Sequence, residues 1–171
     1  CNLECEFCPQ HLSPKQIPKD KMGLKRFEDM CIQINEFSTK PNLIRFCGIG
    51  DSLTNKTFVE MLKIANQYQI GERMQLITNG LLLPHHNCLE LINFLDQIVI
   101  SIEGLSDDDY KEFANRKINF DAHVQKLKEL CSVRDRRARF NIKIHSAAVK
   151  TEERLHRFNE LFSFADEIFV E

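Results

Sequence analysis

Ile98-Val99-Ile100-Ser101-Ile102-Glu103 alternates two kinds of side chain. Along a strand, residues i and i+2 share a face. One face is therefore Ile98, Ile100 and Ile102, and the other is Val99, Ser101 and Glu103. The split recurs at 139–145, where Phe140, Ile142 and Ile144 oppose Arg139, Asn141, Lys143 and His145, and at 43–47, where Ile44 and Phe46 oppose Arg45 and Cys47. Strand-like runs at 43–47, 74–78, 98–102, 139–145 and 167–170 alternate with helix-periodic runs at 24–37, 58–65, 89–95, 124–131 and 155–162. Breakers such as Pro41-Asn42, Asn79-Gly80 and Glu103-Gly104 separate them. Ser106 before Asp107-Asp108-Asp109 reads as a helix N-cap with acids in the first turn. This alternation implies a parallel sheet with right-handed crossovers. Strands buried in a doubly wound sheet are apolar on both faces, and a closed full-length barrel packs its interior with branched apolar residues. One apolar and one polar face per strand predict a wide or open barrel, apolar outward against helices and polar inward around a polar ligand. Five strands are too few for eight repeats.

The composition agrees with one soluble domain. The chain has 171 residues, 43% hydrophobic and 28% charged, with a net charge of −2. These values exclude dominant disorder and give no support to wholesale nucleic-acid binding. No apolar run approaches the roughly 18 residues that span a bilayer. The chain opens at Cys1 without an initiator Met or a signal-like segment, and is read as a fragment of a longer protein.

Of seven cysteines, Cys1, Cys5 and Cys8 are clustered as C-x3-C-x2-C, and Cys31, Cys47, Cys88 and Cys131 are scattered. A secreted disulfide scaffold is smaller and spreads its cysteines, so the pattern suggests reduced thiols with packing roles for the scattered four. One loop can bring three thiolates to one centre, and soft thiolates select zinc, copper(I) or iron–sulfur. Three readings stand on spacing. The first is a closed Cys3His zinc site with His11. The second is a thioredoxin-like pair of Cys5 and Cys8, which leaves Cys1 idle. The third is a cubane whose missing fourth ligand leaves one iron open to a small molecule. Gly48-Ile49-Gly50 after a strand resembles half a dinucleotide loop, but the third glycine and the following acid are missing.

The spacing, with Asn2 after the first cysteine and Phe7 before the last, resembles the cluster loop of radical S-adenosylmethionine (SAM) enzymes. Further along, Gly48-Ile49-Gly50-Asp51-Ser52-Leu53 resembles that family's Gly-Gly-Glu-Pro loop, departing from it at Asp51 and Ser52, which puts the loop's rigidity in question. Leu76-Ile77-Thr78-Asn79-Gly80 resembles its T-N-G strand end. Ile100-Ser101-Ile102-Glu103-Gly104 resembles its next strand, and Tyr110, Phe113, Arg116 and Phe120-Asp121 a stretch that follows. The resemblance lies with the branch of the molybdenum-cofactor cyclase and the SPASM-type maturases. It implies an α/β fold, a partial (β/α)6 TIM-like barrel truncated here, with its first strand expected before Cys1 and its C-terminal part after Glu171. Residues 1–171 would be the radical SAM core domain. The implied cofactors are a [4Fe–4S] cluster on Cys1, Cys5 and Cys8 and SAM lined by Phe7, Gly48, Gly50, Asp51, Ser101, Glu103 and Arg116. In the family, reductive SAM cleavage yields a 5′-deoxyadenosyl radical that abstracts hydrogen from a peptide or small molecule.

Implied partners are that substrate and an electron donor such as flavodoxin or ferredoxin, with no membrane and no nucleic acid. An oxygen-sensitive cluster and reduced thiols imply a cytoplasmic setting. Arg45 and Lys143, with Thr78, are the candidate substrate contacts and imply a polar or anionic substrate. The alternatives are a structural zinc module on a binding-only barrel, or a degenerate barrel. His85-His86 reads as a solvated loop pair, and His123 and His156 receive no role. Arg134, Arg136, Arg137 and Arg139 read as a helix-end basic run that serves the dipole and solubility.

Overall fold

A computed structural model describes residues 1–13, 15, 20–134 and 137–171. Five parallel strands pair in chain order: β1 (Ile44–Phe46), β2 (Met74–Thr78), β3 (Gln97–Ile102), β4 (Arg139–Ile144) and β5 (Glu167–Val170). The sheet is open, in keeping with a partial TIM-like barrel. Before it lie α1 (Pro9–Leu12) and α2 (Leu24–Asn35). Crossovers are α3 (Phe58–Tyr68), α4 (Cys88–Ile92), the pair α5 (Asp107–Ala114) and α6 (Phe120–Val133), and α7 (Glu152–Leu161). A 3₁₀ turn, Ser52–Thr54, precedes α3.

Register turns the alternation read along single strands into rows across the sheet. One helix-facing row is Phe46, Leu76, Ile98 and Phe140, and another is Thr78, Ile100, Ile142 and Ile168. Leu76, Ile98, Ile100, Phe140, Ile142 and Ile144 are all essentially inaccessible. Burying each such side chain contributes roughly 1.5–3 kcal/mol. Phe46 lies 6.4 Å from the Phe27 ring of α2 and meets Phe58 of α3 edge-on at 5.4 Å. These contacts fasten both helices to the first strand, each aromatic pair adding about 1 kcal/mol beyond its area.

Caps set the helix limits. Ser106 Oγ accepts from Asp109 N at 3.1 Å, as its sequence context predicts. Asn119 Oδ1 accepts from Ala122 N at 2.9 Å, so α6 begins four residues before its apolar period does. The first long helix ends at Asn35, short of the predicted 37, and leaves Phe37 exposed. The basic run divides. Arg134 is a structural residue, its Nη1 donating to Ala138 O and its Nη2 to Asp166 at 2.7 Å. Arg136 lies outside the described residues. Cys31 is buried as expected, whereas Cys47 is exposed. Among the described residues no helix is long and apolar enough to cross a membrane.

Candidate active site

The opposite face of the sheet is polar in two different ways. Toward the strand starts its groups are paired with one another. Arg45 Nε donates to Gln75 Oε1 at 2.5 Å, Gln75 Nε2 donates to Gln97 Oε1 at 2.5 Å, and Asn141 Nδ2 donates to Glu167 at 2.7 Å. Gln75 and Asn141 are buried, and the apolar Val99 interrupts the face between them. Toward the strand ends the groups stand partly open: Ser101, Glu103, Lys143 and His145. Parallel α/β sheets take their ligands at this C-terminal edge.

The loop carrying Cys1, Cys5 and Cys8 docks on that edge. Glu4 N and Glu6 N donate to Ala114 O and Phe113 O, both at 3.1 Å, and Asn115 Nδ2 donates to the Glu4 carboxylate at 2.9 Å. Leu3 and Cys5 are buried beneath the loop, while Phe7 stays exposed and stacks on the His145 ring at 4.9 Å. Burial first, then the Glu103 charge and Cys8, pushes the Cys5 thiol up to about 12. Burial likewise pushes Glu103 up to about 7, with Lys143 pulling it down and Glu171 pushing it further up. Lys143 itself is ion-paired with Glu171. The Tyr110 hydroxyl, fully buried, accepts from Glu103 N at 3.3 Å.

The glycine loop closes on the first cysteine. Gly50 has φ +126°, which disfavours any residue with a Cβ, and a Cβ built there meets Cys1 N at 3.8 Å. The departure at Asp51 anchors the loop through its side chain. Its carboxylate is 6% exposed and accepts from Leu53 N at 2.9 Å, Thr78 Oγ1 at 2.7 Å and Asn79 N at 3.1 Å. It caps the 3₁₀ turn that contains Ser52 and ties it to the end of β2. A cavity of about 1050 Å³ opens beside this loop, walled in part by Cys1, Gln10, Arg45, Cys47, Gly48 and Gly50.

The structure thus brings Cys1, Gly48, Gly50, Asp51 and Arg45 to one cavity, and Cys5, Glu103 and Lys143 to one electrostatic neighbourhood. Ser101, Glu103 and Lys143 stand outside the cavity's walls. Arg116 is exposed just past the left-handed cap at Asn115, with no side-chain partner among the described residues. Thr78, expected on the substrate side, stands in the Ile100 row and is 3% exposed, because its hydroxyl goes to Asp51. Two histidines carry more than their sequence context shows. His86 Nε2 donates to Leu53 O at 2.7 Å rather than facing solvent, and His123 is buried behind Asn79-Gly80. The helical period around Val124 and Leu127 places His123 among core residues, a signal available in the sequence.

The signature of the radical SAM superfamily matches residues 1–159. The chain belongs to the radical SAM superfamily. Among its relatives, GTP 3′,8-cyclase of Petrotoga mobilis is 29% identical over 119 residues, 68% of this chain and 35% of the cyclase. GTP 3′,8-cyclase of Staphylococcus saprophyticus is 28% identical over 137 residues, 74% of this chain and 38% of the cyclase. The chain therefore spans about a third of the length of the curated relatives it matches. The structure of native anSMEcpe with bound AdoMet superposes at a TM-score of 0.73 and 17% identity, covering 99% of this chain and 48% of that one. TYW1 with a lysine-pyruvate adduct superposes at 0.68 and 16%, covering 100% and 61%. These likenesses bear on the fold.

Radical SAM proteins use a [4Fe–4S] cluster and S-adenosylmethionine. The donor set fits that cluster by its chemistry, three soft thiolates on one loop beside a backbone kept bare at Gly50. Among the described residues, no three or more His, Cys, Asp or Glu side chains are arranged to hold a metal ion, and His11 is exposed on α1. The family match gives the Cys3His zinc reading no support.

Burial sets a pH dependence of folding through His123. It lowers this imidazole from 6.5 to about 4, against a hydrogen bond with the Asn79 backbone that raises it. Between these values the unfolded chain binds a proton that the folded chain does not. Stability is therefore highest above about pH 6.5 and falls as pH drops toward 4, by about 3 kcal/mol. Urea titrations at pH 7.5 and 4.5 should show this loss in the parent and a smaller one in His123→Gln. Equal losses in the two proteins would exclude His123 as its source.

Proposed function

We propose that residues 1–171 form the catalytic core of a radical SAM enzyme acting on a polar or anionic substrate. The observation that carries the reading is the docking of the three-cysteine loop on the sheet's C-terminal edge, against the glycine loop and beside Glu103. Cys1, Cys5 and Cys8 would hold the cluster. A cluster held there would supply the electron for reductive cleavage of SAM, the source of hydrogen-abstracting radical chemistry.

The protein positions reactants and excludes water. The backbone at Gly48 and Gly50 would receive the SAM ammonium, with Asp51 anchoring that loop. Ser101 would donate to the methionyl end, and Glu103 would accept from ribose hydroxyls. The open face of Phe7 offers the adenine a ring to stack on. Arg116 is free to swing its planar guanidinium onto the SAM carboxylate. Reduction falls to a donor such as flavodoxin or ferredoxin, and a cytoplasmic setting suits the exposed Cys1 thiol.

The decisive experiment uses the full-length protein, reconstituted anaerobically with iron and sulfide and given SAM and dithionite. We expect 5′-deoxyadenosine in the parent and none in Cys5→Ala. An intact cluster that yields no product would support a degenerate barrel instead.

Arg45 at the cavity and Lys143 at the strand ends favour an anionic substrate, and the GTP of the cyclase relatives is one such molecule. Arg45→Gln with Lys143→Gln should raise the substrate KM at least ~10-fold, since each lost charge-assisted contact is worth about 1.5–3 kcal/mol. Substrate-independent 5′-deoxyadenosine formation should stay within about twofold. Unchanged turnover of the true substrate in the double variant would refute the anionic assignment.

A further inference from the structure

We propose that Gln75, braced by Gln97, is a positioning residue that turns the Arg45 guanidinium to meet an anionic group of the substrate end-on, through Nη1 and Nη2. The proposal rests on the anionic-substrate reading above. Register sets the three residues side by side, Arg45 opposite Gln75 and Gln75 opposite Gln97, on β1, β2 and β3. Gln75 is 6% exposed. A carboxamide taken out of water costs free energy unless its oxygen and its nitrogen both find partners. Both do. Oε1 accepts from Arg45 Nε and Nε2 donates to Gln97 Oε1, each at 2.5 Å. A β-branched apolar residue suits a buried strand position better, so packing alone does not account for an amide here.

The row has one polarity. A guanidinium only donates, so Gln75 turns its oxygen to Arg45 and its nitrogen to Gln97, which in turn offers its own oxygen. Among the described residues Arg45 makes no ion pair, and the bond to Gln75 is the one that orders its exposed side chain. A planar guanidinium offers an anion two forked edges, side-on through Nε and one Nη, or end-on through both Nη groups. Gln75 closes the first edge and leaves the second, and Arg45 helps to wall the cavity beside Gly48 and Gly50. The brace is also neutral. A carboxylate at position 75 would hold the same Nε–H but cancel the charge that draws an anion. The carboxamide holds it and leaves the charge for the ligand.

The test measures the Kd for GTP, used as an anionic probe, by equilibrium dialysis on the full-length protein reconstituted with its cluster. Gln75→Leu should raise Kd roughly fivefold, the effect of one lost hydrogen bond. Gln75→Glu keeps the acceptor but cancels the charge, and should raise Kd at least as much. Arg45→Met should raise it at least ~10-fold. In the Arg45→Met background, Gln75→Leu should add less than about twofold, because Gln75 acts through Arg45. An amide with only a structural role would weaken binding equally with and without Arg45. Full additivity, or a parent-like Kd in Gln75→Leu, therefore overturns the proposal. Should Gln75→Leu fail to fold, the half-buried Gln97 decides through Gln97→Leu, by the same comparison in both backgrounds. A parent protein that binds no GTP, or whose Kd is unchanged in Arg45→Met, overturns the anionic reading itself before the Gln75 variants are compared.

Discussion

Asp51→Ala should remove about 4 kcal/mol of folding stability, a loss far beyond that of an ordinary surface carboxylate. The side chain is 6% exposed and accepts three hydrogen bonds, from Leu53 N, Thr78 Oγ1 and Asn79 N. Each bond to a buried charged acceptor is worth about 1.5–3 kcal/mol. The three belong to one network, so their deletions overlap and the sum is smaller than the parts. Alanine also leaves two N–H groups and a hydroxyl without partners in a closed space. Asp51→Asn keeps an acceptor and should lose about half as much. Urea unfolding followed by circular dichroism gives both values, and a loss under 1 kcal/mol for alanine would show that water replaces the carboxylate freely. The alanine variant should also weaken SAM binding, because the loop closing on Cys1 loses its anchor.

Gly104→Ala should destabilise by about 3 kcal/mol or more, although Gly104 lies in an ordinary-looking turn. A Cβ there would sit 2.2 Å from Asp109 Cβ. That neighbour cannot move aside easily. Asp109 is 9% exposed, accepts from Leu105 N at 2.6 Å and is paired with Arg154 of α7. Overpacking of this kind usually costs 1–3 kcal/mol, and here it also breaks an occupied carboxylate network. Gly23→Ala is the control, since nothing lies within 4 Å of a Cβ at Gly23 and its change should stay within about 1 kcal/mol. The same unfolding assay compares the two. A Gly104 variant no worse than the Gly23 one would mean that α5 shifts at little cost. Displacing the start of α5 should also move Glu103, whose backbone N–H donates to Tyr110 of that helix.

Much of the architecture was legible because it is local and periodic. The period-two alternation at 98–103 and 139–145 anticipated which residues face the helices, and the strand limits at 74–78 and 167–170 agree with the structure. Helix ends were less legible. The cap at Asn119 starts α6 before its apolar residues begin, and α2 stops at Asn35 although its period continues to Phe37. Of the candidate site, the clustered spacing of Cys1, Cys5 and Cys8 is legible in the sequence. The partners of Asp51 and Thr78 are not, since 27 positions separate them along the chain.

Residue order determined the period of each element, the soft-ligand chemistry of the first eight residues and the membership that follows from their motifs. Tertiary packing decided what each polar side chain on those elements does. Asp51 accepts from Thr78 at the end of β2 as well as from Leu53 N and Asn79 N. Arg45 and Gln75 pair where adjacent strands bring them into register, while Glu103 is pushed up to about 7 by the burial around it. His123, a helix residue without a role in the sequence, is buried in the core against Gly80. The physical reason is range. Backbone periodicity is dictated by neighbours a few residues away, whereas burial, partnership and proton affinity depend on groups that meet only when the sheet has formed.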